Sequence, residues 1–223
     1  MIAYELIDKT IPKVQPSDTI QDVINWTEEL KVSQLPTVNE EGIFITLLDE
    51  DTLYNHPNAT LPVESLPLLQ QSTHYVKADQ HYLDLLRLAH QQNLEVIPVI
   101  DETGRLLGSV RIQDVVQEIA KTYAVQQQGG ILVLAMQERD YSLAEISRLV
   151  ESNNAKVLSS LIEFNEHNKL EILVTLKIDQ IDLSHIVATF ERFNYKVQAK
   201  FQTTELVNVD QTRLDLLLKY LEM

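Results

Sequence analysis

The stretch that decides the fold is "VIPVIDETGRLLGSVRIQDVVQEI", residues 96–119, because the chain contains the same pattern twice. It has a short apolar run with a Pro, a few polar residues with a Gly, a second apolar run and the start of a helix. The earlier copy is "LPTVNEEGIFITLLDEDTLY", residues 35–54. Shifting the chain by 62 residues aligns residues 6–53 with 68–115 without a gap. The sequence therefore predicts two similar structural units in tandem.

Each copy is predicted to fold as a helix, two strands and a closing helix, with a short strand in front near Val14 or Val76. Apolar residues recur at helical spacing after Ser17 or Asp18, and again after Asp79. These polar residues are candidate helix N-caps. Gly42 and Gly104 lie between the two strands of each copy, where a turn needs a residue that tolerates a positive φ.

This repeat resembles the cystathionine-β-synthase (CBS) domain family, whose members usually occur as a tandem pair, also called a Bateman module. The second copy is the more similar one, since it has an apolar-Pro start, two Gly residues and an Asp that opens the last helix. The resemblance implies a cleft for an adenine-containing regulatory ligand such as AMP, ADP, ATP or S-adenosylmethionine. It assigns adenine stacking to Ile97 and Pro98, close approach to Gly108, ribose binding to Asp114, and phosphate binding to Arg111, which replaces the family's Thr or Ser. Arg can bind an oxyanion through two parallel hydrogen bonds.

The first copy has Thr46, Asp49 and Thr52 at the positions of Gly108, Arg111 and Asp114. A carboxylate in place of the phosphate-binding residue would repel an anion, so the second copy is the predicted nucleotide site. A structural interpretation stays open. The strand-turn-strand needs the Pro and Gly residues in any case, and Asp114 could be only a helix N-cap. The pair would then be a ligand-free oligomerisation or protein-interaction module.

The last third of the chain predicts the order βαββαβ, which is the ferredoxin-like arrangement. "ILVLAMQ" predicts a strand, Ser142 the N-cap of a helix, and residues 156–178 a hairpin around "NEHN". A second helix and a last strand, "YKVQAKFQ", follow. The segment resembles the ACT regulatory domain, and the whole layout is similar to bacterial CBS proteins of the acetoin-utilisation type. The turn "QERDYS" lacks the usual Gly and contains Glu138 and Asp140, so we expect no binding of free amino acids.

The fold class predicted is therefore α+β, with a tandem CBS-domain pair followed by a ferredoxin-like (βαββαβ) ACT-like domain. The predicted segments are residues 1–60 and 61–122 for the two copies, 123–130 for a linker, 131–204 for the ACT-like domain and 205–223 for a C-terminal helix. Leu214, Leu217, Leu218 and Leu221 share one face of that helix. Such apolar faces predict a homo-oligomer, a dimer in the simplest case.

Charge and composition argue against several other functions. A formal net charge of -15 and the absence of a basic cluster argue against nucleic-acid binding. The absence of Cys excludes disulfides and thiolate metal sites, and the six His residues are not at metal-ligand spacing. The acidic stretch "DEDT", residues 49–52, is interpreted as a solvated helix start. No nucleophile or phosphate-loop motif is present, and neither a signal peptide nor a membrane-spanning run. We therefore expect a cytoplasmic regulatory protein that is not an enzyme and has no metal or catalytic site.

Overall fold

The computed structural model describes residues 1–66, 72–166 and 168–202. The chain divides into two compact units, residues 1–120 and 121–223. The first unit contains both copies of the repeat. The second contains the βαββαβ segment.

The first copy consists of two helices and a two-stranded antiparallel sheet. These elements are α1 (Ile20–Leu30), β1 (Gln34–Val38), β2 (Phe44–Asp49) and α2 (Glu50–Tyr54). Val14 forms an isolated parallel bridge to Thr37 of β1 rather than a strand of its own. The predicted order of helix, strand, strand and helix is confirmed.

The second copy has the same order with one added short strand. Its elements are β3 (Val76–Lys77), α3 (Tyr82–Gln92), β4 (Val96–Ile100), β5 (Leu106–Arg111) and α4 (Ile112–Ala120). Strand β3 is parallel to β4, and β4 is antiparallel to β5. The parallel contact of Val76 with Val99 corresponds to that of Val14 with Thr37, so the register of 62 residues holds here too.

Hydrogen bonds between the copies show that they are related by a pseudo-twofold axis. The Phe44 amide donates to the Gly104 carbonyl at 3.0 Å, and the equivalent Leu106 amide donates to the Gly42 carbonyl at 3.0 Å. Both glycines have a positive φ, +81° for Gly42 and +83° for Gly104. A residue with a side chain adopts this conformation only at a cost. The two turns are thus used both to reverse the chain and to join the copies.

The cores of the two copies are shared across this axis. Val38, Phe44 and Leu47 of the first copy are buried among the apolar side chains of the second. In return, Val96 of the second copy is buried in the core of the first. Neither copy could bury its apolar faces equally well alone, which explains why they form one compact unit.

The helix N-caps differ from the prediction. Thr19, not Ser17 or Asp18, caps α1, since its side chain accepts a hydrogen bond from the Asp22 amide. The Asp18 carboxylate instead accepts from the Gln15 amide at 2.6 Å. In the second copy His81 occupies the N-cap position of α3, and its Nδ1 accepts from the Leu83 amide at 3.5 Å. The pattern of polar residues gave the helix start to within one or two residues but not the capping residue.

The second unit has a four-stranded antiparallel sheet and two longer helices, in the predicted βαββαβ order. The elements are α5 (Tyr123–Gln126), β6 (Gly130–Gln137), α6 (Leu143–Glu151), β7 (Val157–Phe164), β8 (Glu171–Ile178), α7 (Ser184–Arg192) and β9 (Lys196–Phe201). The strand order is β7-β8-β6-β9. Ser142 caps α6 as predicted, accepting from the Glu145 amide at 3.3 Å.

The predicted linker, residues 123–130, is not a plain connection. It contains the short helix α5, and β6 already begins at Gly130. A helix of one turn leaves no apolar stripe in the sequence, which is why the pattern did not reveal it. The predicted C-terminal helix, residues 205–223, lies outside the described residues.

Candidate functional site

Arg111 ends strand β5 and stands at the centre of the candidate site. Its Nη2 lies 2.7 Å from Oδ2 of Asp8, and its Nε lies 3.1 Å from Oδ2 of Asp114. Asp114 belongs to the first turn of α4, three residues after Arg111. The structure therefore brings the predicted pair Arg111 and Asp114 together, and it adds Asp8, which the sequence did not predict.

The N-terminal segment reaches this site because backbone hydrogen bonds hold it against the second copy. The Ala3 amide donates to the Gln80 carbonyl at 2.8 Å, and the Tyr4 amide to the Ala78 carbonyl at 3.0 Å. After a 3-10 turn at Ala3–Leu6, the Asp8 amide donates to the Ser109 carbonyl of β5 at 2.9 Å. This last bond places the Asp8 carboxylate beside the guanidinium two residues further along β5.

Gly108 accommodates this same segment. A Cβ atom at this position would overlap Cγ2 of Ile7. The resemblance to the CBS family explained the glycine by the close approach of a ligand. In the structure the space is filled by Ile7, and the glycine is required by a contact within the chain.

The electrostatics favour the ionised form of Asp8. Burial alone would raise the pKa of this carboxyl, because it removes charge from water. The Thr10 amide and hydroxyl, at 2.8 and 2.7 Å from Oδ1, and the Arg111 guanidinium more than offset this effect. The pKa of Asp8 is lowered from its ordinary value of 3.8. Asp8 is therefore a permanent negative charge at neutral pH.

Two cavities share Arg111 as a lining residue. Their volumes are about 430 and 480 Å³, which lie within the range of small-molecule pockets. The first is lined by Met1, Glu5, Leu6, Ile7, Asp8, Arg111, Asp114 and Glu118. The second is lined by Leu30, Lys31, Val32, Leu94, Glu95, Arg111, Ile112 and Gln113. The first has four carboxylates around one cation, whereas the second has two cations and one carboxylate.

Two of the predicted ligand contacts are not at either cavity. Ile97 has no exposed surface, and Pro98 is buried in β4. Neither lines either cavity. The predicted adenine-stacking role of this pair has no geometric support, because both side chains are part of the core. The apolar surface beside Arg111 comes instead from four residues of both copies: Leu30, Val32, Leu94 and Ile112.

The alternative role of Asp114 as an N-cap is wrong, since Asp114 lies inside α4 and pairs with Arg111. The first copy does use its counterpart of Arg111 as a cap. Asp49 is the N-cap of α2, with Oδ1 accepting from the Thr52 amide at 2.8 Å. The first copy therefore has a helix-capping carboxylate where the second has a guanidinium.

The second unit has a cavity of its own, of about 530 Å³. Asp140, Glu145 and Glu171 contribute carboxylates to it, and Lys196 pairs with Glu171 at 3.5 Å. Burial raises the pKa of Tyr195, which also lines it, and the nearby Glu145 carboxylate adds to this shift. The expectation that the second unit binds no free amino acids stays a prediction.

Neither a metal site nor a membrane span is evident where the structure describes the chain. No group of three or more His, Cys, Asp or Glu side chains is placed to hold a metal ion among those residues. His167 falls outside them. No described helix is long and apolar enough to cross a bilayer.

Comparison with known proteins identifies the family of the second copy. Residues 67–121 match the model of the CBS domain family. The chain is 22% identical over 176 residues to an inosine-5'-monophosphate dehydrogenase of Methanocaldococcus jannaschii, and 24% identical over 127 residues to an uncharacterised protein of that organism. These alignments cover 74% and 56% of this chain, but only 35% and 59% of the relatives. The chain thus spans about a third and three fifths of their lengths.

Among solved structures, a CBS domain pair/ACT domain protein of Thermotoga maritima is similar with a TM-score of 0.49 and 18% identity. The similarity covers 54% of this chain and 98% of that one. The predicted CBS domain in the second copy is confirmed by the family match. The similarity to ACT domains and to the acetoin-utilisation type stays a prediction.

Proposed function

We propose that residues 1–120 form a CBS pair that senses an adenine nucleotide or a related adenosyl ligand in the cleft beside Arg111. The observation that carries this proposal is that Arg111 lines two cavities and its partner Asp114 lines one of them, in the copy that matches the CBS family. A guanidinium and a carboxylate three residues apart can bind a phosphate and a pair of ribose hydroxyls, respectively.

The distribution of charge indicates how such a ligand would be oriented. Phosphate groups belong in the cavity that contains Lys31 and Arg111, because the other cavity carries Glu5, Asp8 and Asp114. Asp114 is then the acceptor for ribose hydroxyls.

The protein acts in this proposal as a regulator and not as an enzyme. The second unit is an ACT-like domain, to which the βαββαβ order and the strand order β7-β8-β6-β9 lend support. Ligand occupancy would be passed to this unit or to a partner protein. The functional protein is a homodimer or a larger oligomer, and sedimentation of the full chain at tens of micromolar tests that part.

A second function is favoured by one observation. Both Asp8 and Asp114 already neutralise Arg111, and Ile7 fills the space in front of Gly108. These contacts are what a pair with a purely structural role would have. The second copy would then serve only to hold the N-terminal segment and to assemble the protein.

A thermal-shift panel of AMP, ADP, ATP, S-adenosylmethionine and the amino acids distinguishes the two functions. A ligand at a hundred times its dissociation constant adds about 2.7 kcal/mol to the free energy of unfolding. We expect such a shift from at least one adenine-containing ligand and none from the amino acids. If no adenine compound raises the melting temperature at millimolar concentration, the result would favour the ligand-free oligomerisation or interaction module.

A further inference from the structure

Lys31 has a backbone conformation that lysine rarely adopts. It ends α1 with φ 54° and ψ 47°, in the left-handed region. The equivalent residue after α3 is Asn93, with φ 52° and ψ 49°. Asn is one of the few residues other than Gly that enter this region readily, whereas for Lys the conformation is unfavourable. The first copy therefore keeps a lysine where the fold alone would favour Asn or Gly.

The position of Lys31 indicates why a lysine stands here. Lys31 lines the cavity of about 480 Å³ together with Arg111. Its side chain is exposed, and it forms no ion pair with any carboxylate that the structure describes. The single carboxylate of the cavity, Glu95, is already engaged, since its Oε2 accepts from the amide and the hydroxyl of Ser33 at 3.0 and 2.9 Å.

Arg111 lines the same cavity and retains a nitrogen outside its two ion pairs. Its Nε and Nη2 pair with Asp114 and Asp8, which leaves Nη1 outside both ion pairs. The cavity thus has one unpaired ammonium group and one guanidinium nitrogen within a chain whose net charge is -15. An anion would find here a local attraction that opposes the repulsion of the rest of the surface.

We propose that Lys31 binds the terminal phosphates of the ligand and thereby makes this site select nucleoside di- and triphosphates over adenosine. This inference rests on the proposed nucleotide site and adds the residue that determines its specificity. Because Lys31 is exposed, its contribution grows with ligand charge and is screened by salt. Adenosine, which has no phosphate, does not depend on Lys31.

The test is calorimetry of ATP, AMP and adenosine with the full chain, comparing the wild type with Lys31→Asn. The Asn variant copies the second repeat, relieves the backbone strain and removes the charge. We expect about tenfold weaker binding of ATP, a smaller loss for AMP and no change for adenosine, as for a lost hydrogen bond to a charged group. Raising the salt concentration from 50 to 300 mM should abolish most of the difference.

Lys9→Asn is the matched control, since Lys9 is an exposed lysine of the same unit that lines neither cavity. It should bind all three ligands as the wild type does. Equal affinity of Lys31→Asn and wild type for ATP would overturn this inference while the nucleotide site stands. An equal loss for ATP and adenosine would also overturn it, since it would mean a structural effect. Absence of any binding by the wild type would refute the nucleotide site itself.

Discussion

The Asp8 carboxylate lies 2.7 Å from the Arg111 guanidinium, although Asp8 lies near the start of the first copy of the repeat and Arg111 ends β5 of the second copy. The ion pair is largely shielded, with 13% of the Asp8 side chain and 31% of the Arg111 side chain exposed. It joins the N-terminal segment to the proposed ligand site. A ligand phosphate therefore has to share Arg111 with a carboxylate of the chain itself.

We predict that Asp8→Asn lowers the free energy of unfolding by about 1–3 kcal/mol, because a partly buried guanidinium loses one of its two charged partners. The decrease in the free energy of unfolding should be near the lower end of this range, since Asp114 still pairs with Arg111. Urea unfolding at pH 7 measures it. A double-mutant cycle with Arg111→Ala isolates the ion pair. If Asp8→Asn costs the same with and without Arg111, the pair contributes nothing to stability.

The stability that Asp8 contributes should disappear in acid. Its pKa is lowered in the folded state, so its contribution is complete above the unfolded value of 3.8 and is lost as the pH falls through the folded pKa. We expect the wild type and Asp8→Asn to differ at pH 7 and the difference to shrink as the pH falls below 3.8. Urea unfolding of both proteins from pH 7 to pH 3 tests whether the stability that Asp8 contributes decreases in acid. A difference that persists unchanged at pH 3 would contradict it.

Gly108→Ala should destabilise the protein by about 1–3 kcal/mol, because its methyl group would overlap Cγ2 of Ile7. The double variant Ile7→Ala/Gly108→Ala removes the overlapping atom. It should therefore cost less than the sum of the two single changes when thermal or urea unfolding is measured. Additive costs would show that Ile7 is not what makes glycine necessary at this position.

The N-cap of α1 offers a test of the local structure. Thr19→Ala should lower stability by about 1 kcal/mol, since the Asp22 amide loses its capping oxygen. Ser17→Ala, at a position the sequence pattern also allowed as the cap, should change stability by less than about 0.5 kcal/mol. The two variants are compared by urea unfolding. The reverse ranking would mean that Ser17 caps the helix in solution.

The sequence predicted the repeat and its register well because both depend on local apolar spacing and on two glycines. Elements of the two copies are offset by 62 residues, as in Ile20–Leu30 and Tyr82–Gln92. Contacts distant in sequence were not predictable in this way. Asp8 has no unusual neighbours in the sequence, and backbone hydrogen bonds of the N-terminal segment, including the one to Ser109, bring it to Arg111.

The candidate site was predicted in part. Arg111 and Asp114 are close because Arg111 directly precedes helix α4 and Asp114 lies in its first turn. This proximity does not depend on the rest of the fold. Ile97 and Pro98 are adjacent and point to opposite faces of β4, and both are buried because all five residues of β4 are buried, which the motif does not show. Lys31 is on the other copy, and its approach to Arg111 follows from the pseudo-twofold packing.

The most direct test of the nucleotide site is calorimetry of ATP with the wild type and the variants Arg111→Ala, Asp114→Ala and Thr52→Ala. Removing a charged hydrogen bond costs about 1.5–3 kcal/mol, so Arg111→Ala and Asp114→Ala should each bind about tenfold to a hundredfold more weakly. Thr52 is the first-copy counterpart of Asp114, and Thr52→Ala should bind as the wild type does. An equal loss from Thr52→Ala, or no loss from Asp114→Ala, would place the ligand elsewhere and contradict the proposed site.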